Sequence, residues 1–204
     1  MSMSPTEAIA YIERVREQIA RIEMFRAFRA LSTAITGILA IGGGLVQAIW
    51  QLNNASAFLL LWFFIALLGV ALVGIEMAIR YRTADSLLAR DAMVAAVRQF
   101  QPCLMAGGLI TLGIVLAAPH AILLLPALWA FCFGLGIFAV RPGLPDAARF
   151  IGAWYLLAGM VLIGLAGKST AFSPCWMPVT FGFGQLFSAG VLALAERRKG
   201  PFEP

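Results

Sequence analysis

From Ala30 to Ile75 the chain carries no Asp, Glu, Lys or Arg, and the stretches 99–140, 150–167 and 169–195 are equally free of charge. An ordinary globular domain could not hide so much apolar surface, because a chain of this size has too little interior. The 204 residues are 61% hydrophobic and only 12% charged, against about 25% charged in a typical soluble domain. A soluble enzyme, a disordered chain and a nucleic-acid binder are excluded at this point, despite the formal charge of +5.

A hydrocarbon core about 30 Å thick is crossed by about 20 apolar residues in a helix. Six segments qualify: 31–50, 57–79, 104–118, 121–140, 150–167 and 177–195. They are continuous rather than alternating, which favours helices over the short strands of a membrane barrel. The fold class expected is therefore all-α, a polytopic six-helix bundle whose solvent is the lipid bilayer. The organisation expected is a cytoplasmic segment 1–30, a membrane domain 31–199 and a short tail 200–204. Ala118-Pro119-His120 leaves so little chain between the third and fourth segments that they should form a hairpin.

Basic residues set the orientation. Arg14, Arg16, Arg21, Arg26 and Arg29 precede the first span, and Arg80, Arg82, Arg90 and Arg98 follow the second. Arg141 and Arg149 follow the fourth, and Arg197, Arg198 and Lys199 follow the sixth. Of the 15 Lys and Arg residues, only Lys168 falls on the other side. The positive-inside rule then places both termini in the cytoplasm and gives the protein an inner-membrane location. The first span directs insertion, since a polar segment precedes it and no cleavage pattern follows it. The general form resembles small polytopic proteins of bacterial inner membranes.

Two amphipathic pieces are expected on the cytoplasmic face. Ser4-Pro5-Thr6-Glu7 has the pattern of a capping box, and Ala8, Ile12, Val15, Ile19 and Ile22 then recur by four, three, four and three residues. Its polar faces mix Glu13, Glu17 and Glu23 with Arg14, Arg16 and Arg21, unlike the Lys/Arg-rich face of a helix that lies on lipid. The stripe Ile12, Val15, Ile19 and Ile22 is accordingly read as a docking surface for a protein partner. The second piece, 83–100, places Ala89, Met93, Ala96 and Phe100 on one face. It should turn away from the second span near Arg80–Asp85, with Asp85 capping it, and Pro102 should mark the start of the third span.

Ionisable groups inside spans usually mark proton relays or ion paths. Here Glu76 alone qualifies, one helical turn before Arg80, so the two form either an interfacial ion pair or a proton site. Thr36, Thr111, Thr180, Gln185 and Ser188 are the polar side chains near mid-membrane. Among them Thr111, Gln185 and Ser188 are the candidate polar cluster, because a primary amide in hydrocarbon needs partners. The glycine-rich Gly164–Ser169 stretch lacks the first glycine and the strand of a phosphate loop. His120 is the single histidine, and Asp85, Asp91 and Asp146 are scattered, so no catalytic, metal or cofactor site is read. Small residues one turn apart, Ala40/Gly44, Gly184/Ser188 and Ala189/Ala193, read as close helix contacts. The chain also hints at three tandem hairpins, since Phe131-Cys132-Phe133-Gly134 echoes Phe181-Gly182-Phe183-Gly184.

The functional expectation is a non-enzymatic membrane subunit that docks or regulates a partner, or a second copy of itself, through cytoplasmic helices. The alternative is a small transporter or substrate-binding membrane subunit with a mid-membrane cavity.

Overall fold

The computed structural model describes residues 30–84, 86–140, 144, 146–167 and 172–198. Every regular element among them is helical, and six helices are long and apolar enough to cross a membrane. The α-helices are α1 (Ala30–Ile49), α2 (Ala55–Thr83), α3 (Leu87–Ala117), α4 (Leu125–Val140), α5 (Ala148–Leu165) and α6 (Gly184–Arg198), and the fourth and sixth spans, Pro119–Val140 and Pro178–Ala195, include the segments that precede α4 and α6. A 3₁₀ segment, Pro119–Leu124, leads into α4, and a π-helical segment, Pro178–Phe183, leads into α6. The stripe Ile12, Val15, Ile19 and Ile22 and its capping box lie outside the described residues, as do Asp85, Arg141 and Lys168.

Local chemistry sets the breaks. Gln51 takes a left-handed conformation (φ 50°) just after α1, a common way to end a helix. Asn54 caps α2 by accepting from the Ala57 N–H at 2.8 Å. The α2–α3 turn falls within the expected 80–85 region, but Ser86 rather than Asp85 caps α3, accepting from the Ala89 N–H at 3.1 Å. Arg90 reinforces that turn. Its Nη2 donates to the Ala84 carbonyl at 2.9 Å, and its guanidinium lies 5.7 Å from the Tyr81 ring centre.

The second expected piece and the third span are one helix, which corrects the expectation of a break at Pro102. Pro102 lies inside α3. A proline there removes one backbone hydrogen bond, and the rest of a long helix supports the gap. Ala117 ends α3, and the tight connection to Pro119 makes α3 and α4 the expected hairpin.

Successive helices alternate in direction. α1 packs on α2 and also on α6 with the π segment, α6 on α5, α5 on α4, and α4 on α3. Among the described residues every arginine lies toward the end of the bundle where α1, α3 and α5 begin, here termed the basic end. Two apolar clusters fill the interior. Ala40, Phe58, Trp62 and Met177 form one, and Ile137, Ala148, Ile151 and Tyr155 form the other. Phe181 of the π segment packs against both.

Candidate functional site

Polar side chains inside the six apolar helices are where chemistry or recognition would reside. The most deeply buried amide is Gln47, with no solvent exposure at all. Its Oε1 accepts from Trp62 Nε1 at 2.9 Å and its Nε2 donates to the Phe172 carbonyl at 2.6 Å. One side chain thus ties α1 to α2 and to the segment before the π helix. It lies on the α1 face that also carries Gly37, Ala40 and Gly44, and these buried residues let neighbouring backbones approach. A methyl group at Gly44 would stand 2.8 Å from the Pro174 carbonyl oxygen and collide with the Pro178 ring. One at Gly37 would stand 3.0 Å from the Gly182 carbonyl oxygen.

In the sequence Gln47 reads as interfacial, because it sits three residues from the end of its span. The signal was its position: 37, 40, 44 and 47 recur at helical spacing on one small-residue face. Trp62, which reads as part of an interfacial aromatic belt, is likewise a core residue, 3% exposed.

The candidate cluster Thr111, Gln185 and Ser188 is divided between α3, which carries Thr111, and α6, which carries the other two. Thr111 Oγ1 donates to the Gly107 carbonyl at 2.7 Å and accepts from Trp129 Nε1 at 2.8 Å, joining α3 to α4. Ser188 Oγ, buried on α6, donates back to the Gly184 carbonyl at 2.7 Å. Gln185 is half-buried on α6 with its Cβ toward Gly37 of α1. Among the described residues no hydrogen bond connects Thr111 to the other two. Thr36 is likewise engaged, donating to the Thr33 carbonyl at 2.8 Å. Glu76 and Arg80 stand one turn apart near the basic end of α2, both half-buried.

Tyr155 departs from this pattern of satisfied groups. It is fully buried, and among the described residues its hydroxyl has no hydrogen-bond partner, as is also true of Arg90 Nε. The two similar segments noted in the sequence enclose it. Phe133 and Phe181 lie 4.7 and 5.5 Å from its ring centre and 5.9 Å from each other. Gly134 and Gly184 supply the room, since a methyl group at Gly134 would stand 3.1 Å from Tyr155 Cβ and one at Gly184 2.6 Å from Tyr155 Oη. Next to it, Trp154 Nε1 donates to the Thr180 carbonyl inside the π segment at 3.1 Å. A π turn is rare and recurs at functional positions in helices.

Among the described residues no three His, Cys, Asp or Glu side chains gather as metal ligands would. His120 is exposed in the 3₁₀ segment, and Cys103, Cys132 and Cys175 are free thiols. At the basic end, α3 offers a different surface. Ala89, Ala92, Met93 and Ala96 form a buried face, while Leu87 and Val97 are exposed. Compared with known proteins, the chain matches no family model, no curated sequence and no solved structure.

Proposed function

We propose that this is a non-enzymatic multi-pass subunit of the inner membrane, both termini cytoplasmic, that docks or regulates a protein partner through a platform at its basic end. The observation that carries the reading is the length of α3. Its 31 residues rise about 46 Å, well beyond the roughly 30 Å that hydrocarbon requires. The extra length is amphipathic, mixes Arg90, Asp91 and Arg98, and presents Leu87 and Val97 outward. Such a surface suits a protein neighbour better than lipid headgroups, which favour a uniformly basic face. Residues 1–28 complete the platform in this reading. The transport alternative needs polar groups free to meet a solute. The hydroxyls of Thr111 and Ser188 are instead spent on protein partners, which weighs against it.

Affinity purification of the full chain and of a chain lacking residues 1–28, both in mild detergent, tests the proposal. The full chain should carry a partner at fixed stoichiometry and the truncated chain should lose it, while both melt at similar temperatures. Retention of every partner by the truncated chain defeats the reading.

A further inference from the structure

One polar side chain inside the apolar helices is left unspent. Among the described residues Gln185 makes no hydrogen bond, whereas Gln47, Thr36, Thr111 and Ser188 each make at least one. A primary amide without a partner is costly in apolar surroundings, so what lies beside it matters. On α6, Gln185, Ser188, Ala189 and Leu192 recur at i, i+3, i+4 and i+7, a single helical face, and the last three are only 7%, 7% and 5% exposed. Leu186, Gly190 and Leu194 share the outward face and are exposed. Gln185 therefore points inward, yet unlike its neighbours on that face it is only half-buried. A partly exposed side chain on an inward face borders a gap inside the bundle, not its outer surface. Away from the basic end that gap is sealed. There Gln47 has no exposure, and Phe58, Trp62 and Met177 are 1%, 3% and 5% exposed. Toward the basic end, half-buried polar side chains continue. A methyl group at Gly37 of α1 would stand 3.1 Å from Gln185 Cβ, and one at Gly69 of α2 would stand 3.6 Å from Cγ2 of the adjacent Thr36. Thr33 and Thr36 are half-buried, as is Glu76, which lies on the same face of α2 as Gly69 and about 10 Å nearer the basic end. Around the turn Thr36–Gly37 the helices α1, α2 and α6 thus meet, with Gln185 innermost and Glu76 toward the mouth.

We propose that this gap is a blind, water-accessible pocket entered from the basic end, and that the Gln185 amide at its inner end binds a small uncharged solute with hydrogen-bond donors and acceptors of its own. The amide supplies two N–H donors and a carbonyl acceptor, which match an amide, a urea or an alcohol. Charge is disfavoured at that point. α1 carries no ionisable residue, and neither does α6 before Glu196, so an ion beside Gln185 would be stripped of water without a counter-charge to replace it. Glu76 stands at the mouth, too far along α2 to serve as that counter-charge. Because the far end is sealed, the pocket holds a solute without passing it across the bundle. That is compatible with a docking or regulatory subunit, whose platform lies at the same end. The inference rests on the placement of Gln185 and stands whether or not a partner docks.

Thiol labelling on opened native membranes tests it, using full-length chain in which Cys103, Cys132 and Cys175 are replaced by alanine. Methanethiosulfonates react with the thiolate, so a cysteine in apolar surroundings stays protonated and slow, whereas one in contact with water ionises and reacts. Gln185→Cys should react with the uncharged hydroxyethyl reagent at least about tenfold faster than Leu186→Cys, its neighbour on the outward face. Rates are then taken relative to Leu87→Cys, which is 77% exposed at the basic end. On that scale the hydroxyethyl reagent should outpace the trimethylammonium and sulfonate reagents by about tenfold at Gln185→Cys. Reaction at Gln185→Cys no faster than at Leu186→Cys overturns the pocket. Equal relative rates for the three reagents, or a preference for either charged one, overturn the choice of an uncharged solute. A readout that needs no cysteine is Gln185→Leu. It removes an amide that bonds nothing among the described residues, so the melting temperature in detergent should stay level or rise. A fall shows that the amide is bonded within the protein, and it overturns the proposal.

Discussion

Glycine serves opposite purposes on the two sides of the bundle. Where α1 meets the π segment and α6, Gly37, Gly44 and Gly182 are buried, and a methyl group at any of them meets backbone, a proline ring or a side chain within 3.0 Å. On α2 and the outer half of α3, Gly74, Gly108 and Gly113 are exposed, with nothing within 4 Å of the same added methyl. The first set lets helices touch, which in lipid is the main source of specific association. At the second set that space is open among the described residues. Residue type and helical spacing alone do not separate the two sets. What separates them is whether a rigid group from another helix occupies the space that a side chain would need.

Substitutions can break this contrast. The largest effect is expected for Gly44→Leu, which must displace Pro178 and the Pro174 carbonyl, neither of which can rotate away. It should cost about 3 kcal/mol or more, read as a lower midpoint of denaturation in detergent. An unchanged midpoint would mean that α1 and the π segment do not approach closely. Gln47→Leu comes next. It strands the Trp62 indole N–H and the Phe172 carbonyl, at about 2 kcal/mol, and Trp62→Phe in the same chain should recover part of that loss. Strict additivity of the two would disprove the bond between them. Tyr155→Phe removes a buried hydroxyl that has no partner among the described residues, so stability should stay level or rise by up to about 1 kcal/mol. A clear fall would reveal a hydrogen bond to that oxygen. The smallest change is expected for Gly108→Ala, within about 0.5 kcal/mol of the parent, since the added methyl meets nothing.

Hydropathy made the six helices legible, because a span is defined by a property that each residue carries alone. Bounds shifted by only a few residues where a cap or turn could be recognised, as at 31–50 against Ala30–Ile49. The misreadings occurred where the outcome depends on a distant partner. Pro102 reads locally as a boundary, yet a long helix supports it from both sides. Gln185 drew attention as the mid-span amide, whereas the amide with two buried bonds is Gln47, whose second partner lies 125 residues away. Thr111 and Ser188 read as mid-membrane polar residues, but sequence does not reveal that Thr111 is satisfied across α3 and α4 while Ser188 bonds back within α6. The π segment left no signal beyond Pro178.

The engagement of Phe172, Pro178 and Phe181 with the earliest helix pair carries a consequence for biogenesis. A ribosome releases α1 and α2 long before the groups that complete them. Until the final span emerges, the Gln47 amide has only the Trp62 indole for company, the cleft at Gly44 is unfilled, and Tyr155 lacks half of its aromatic enclosure. Assembly is thereby tied to the end of translation: nascent chains halted before Pro178 should insert their first five helices yet remain easy targets for quality-control proteases, and gain resistance only when the sixth arrives.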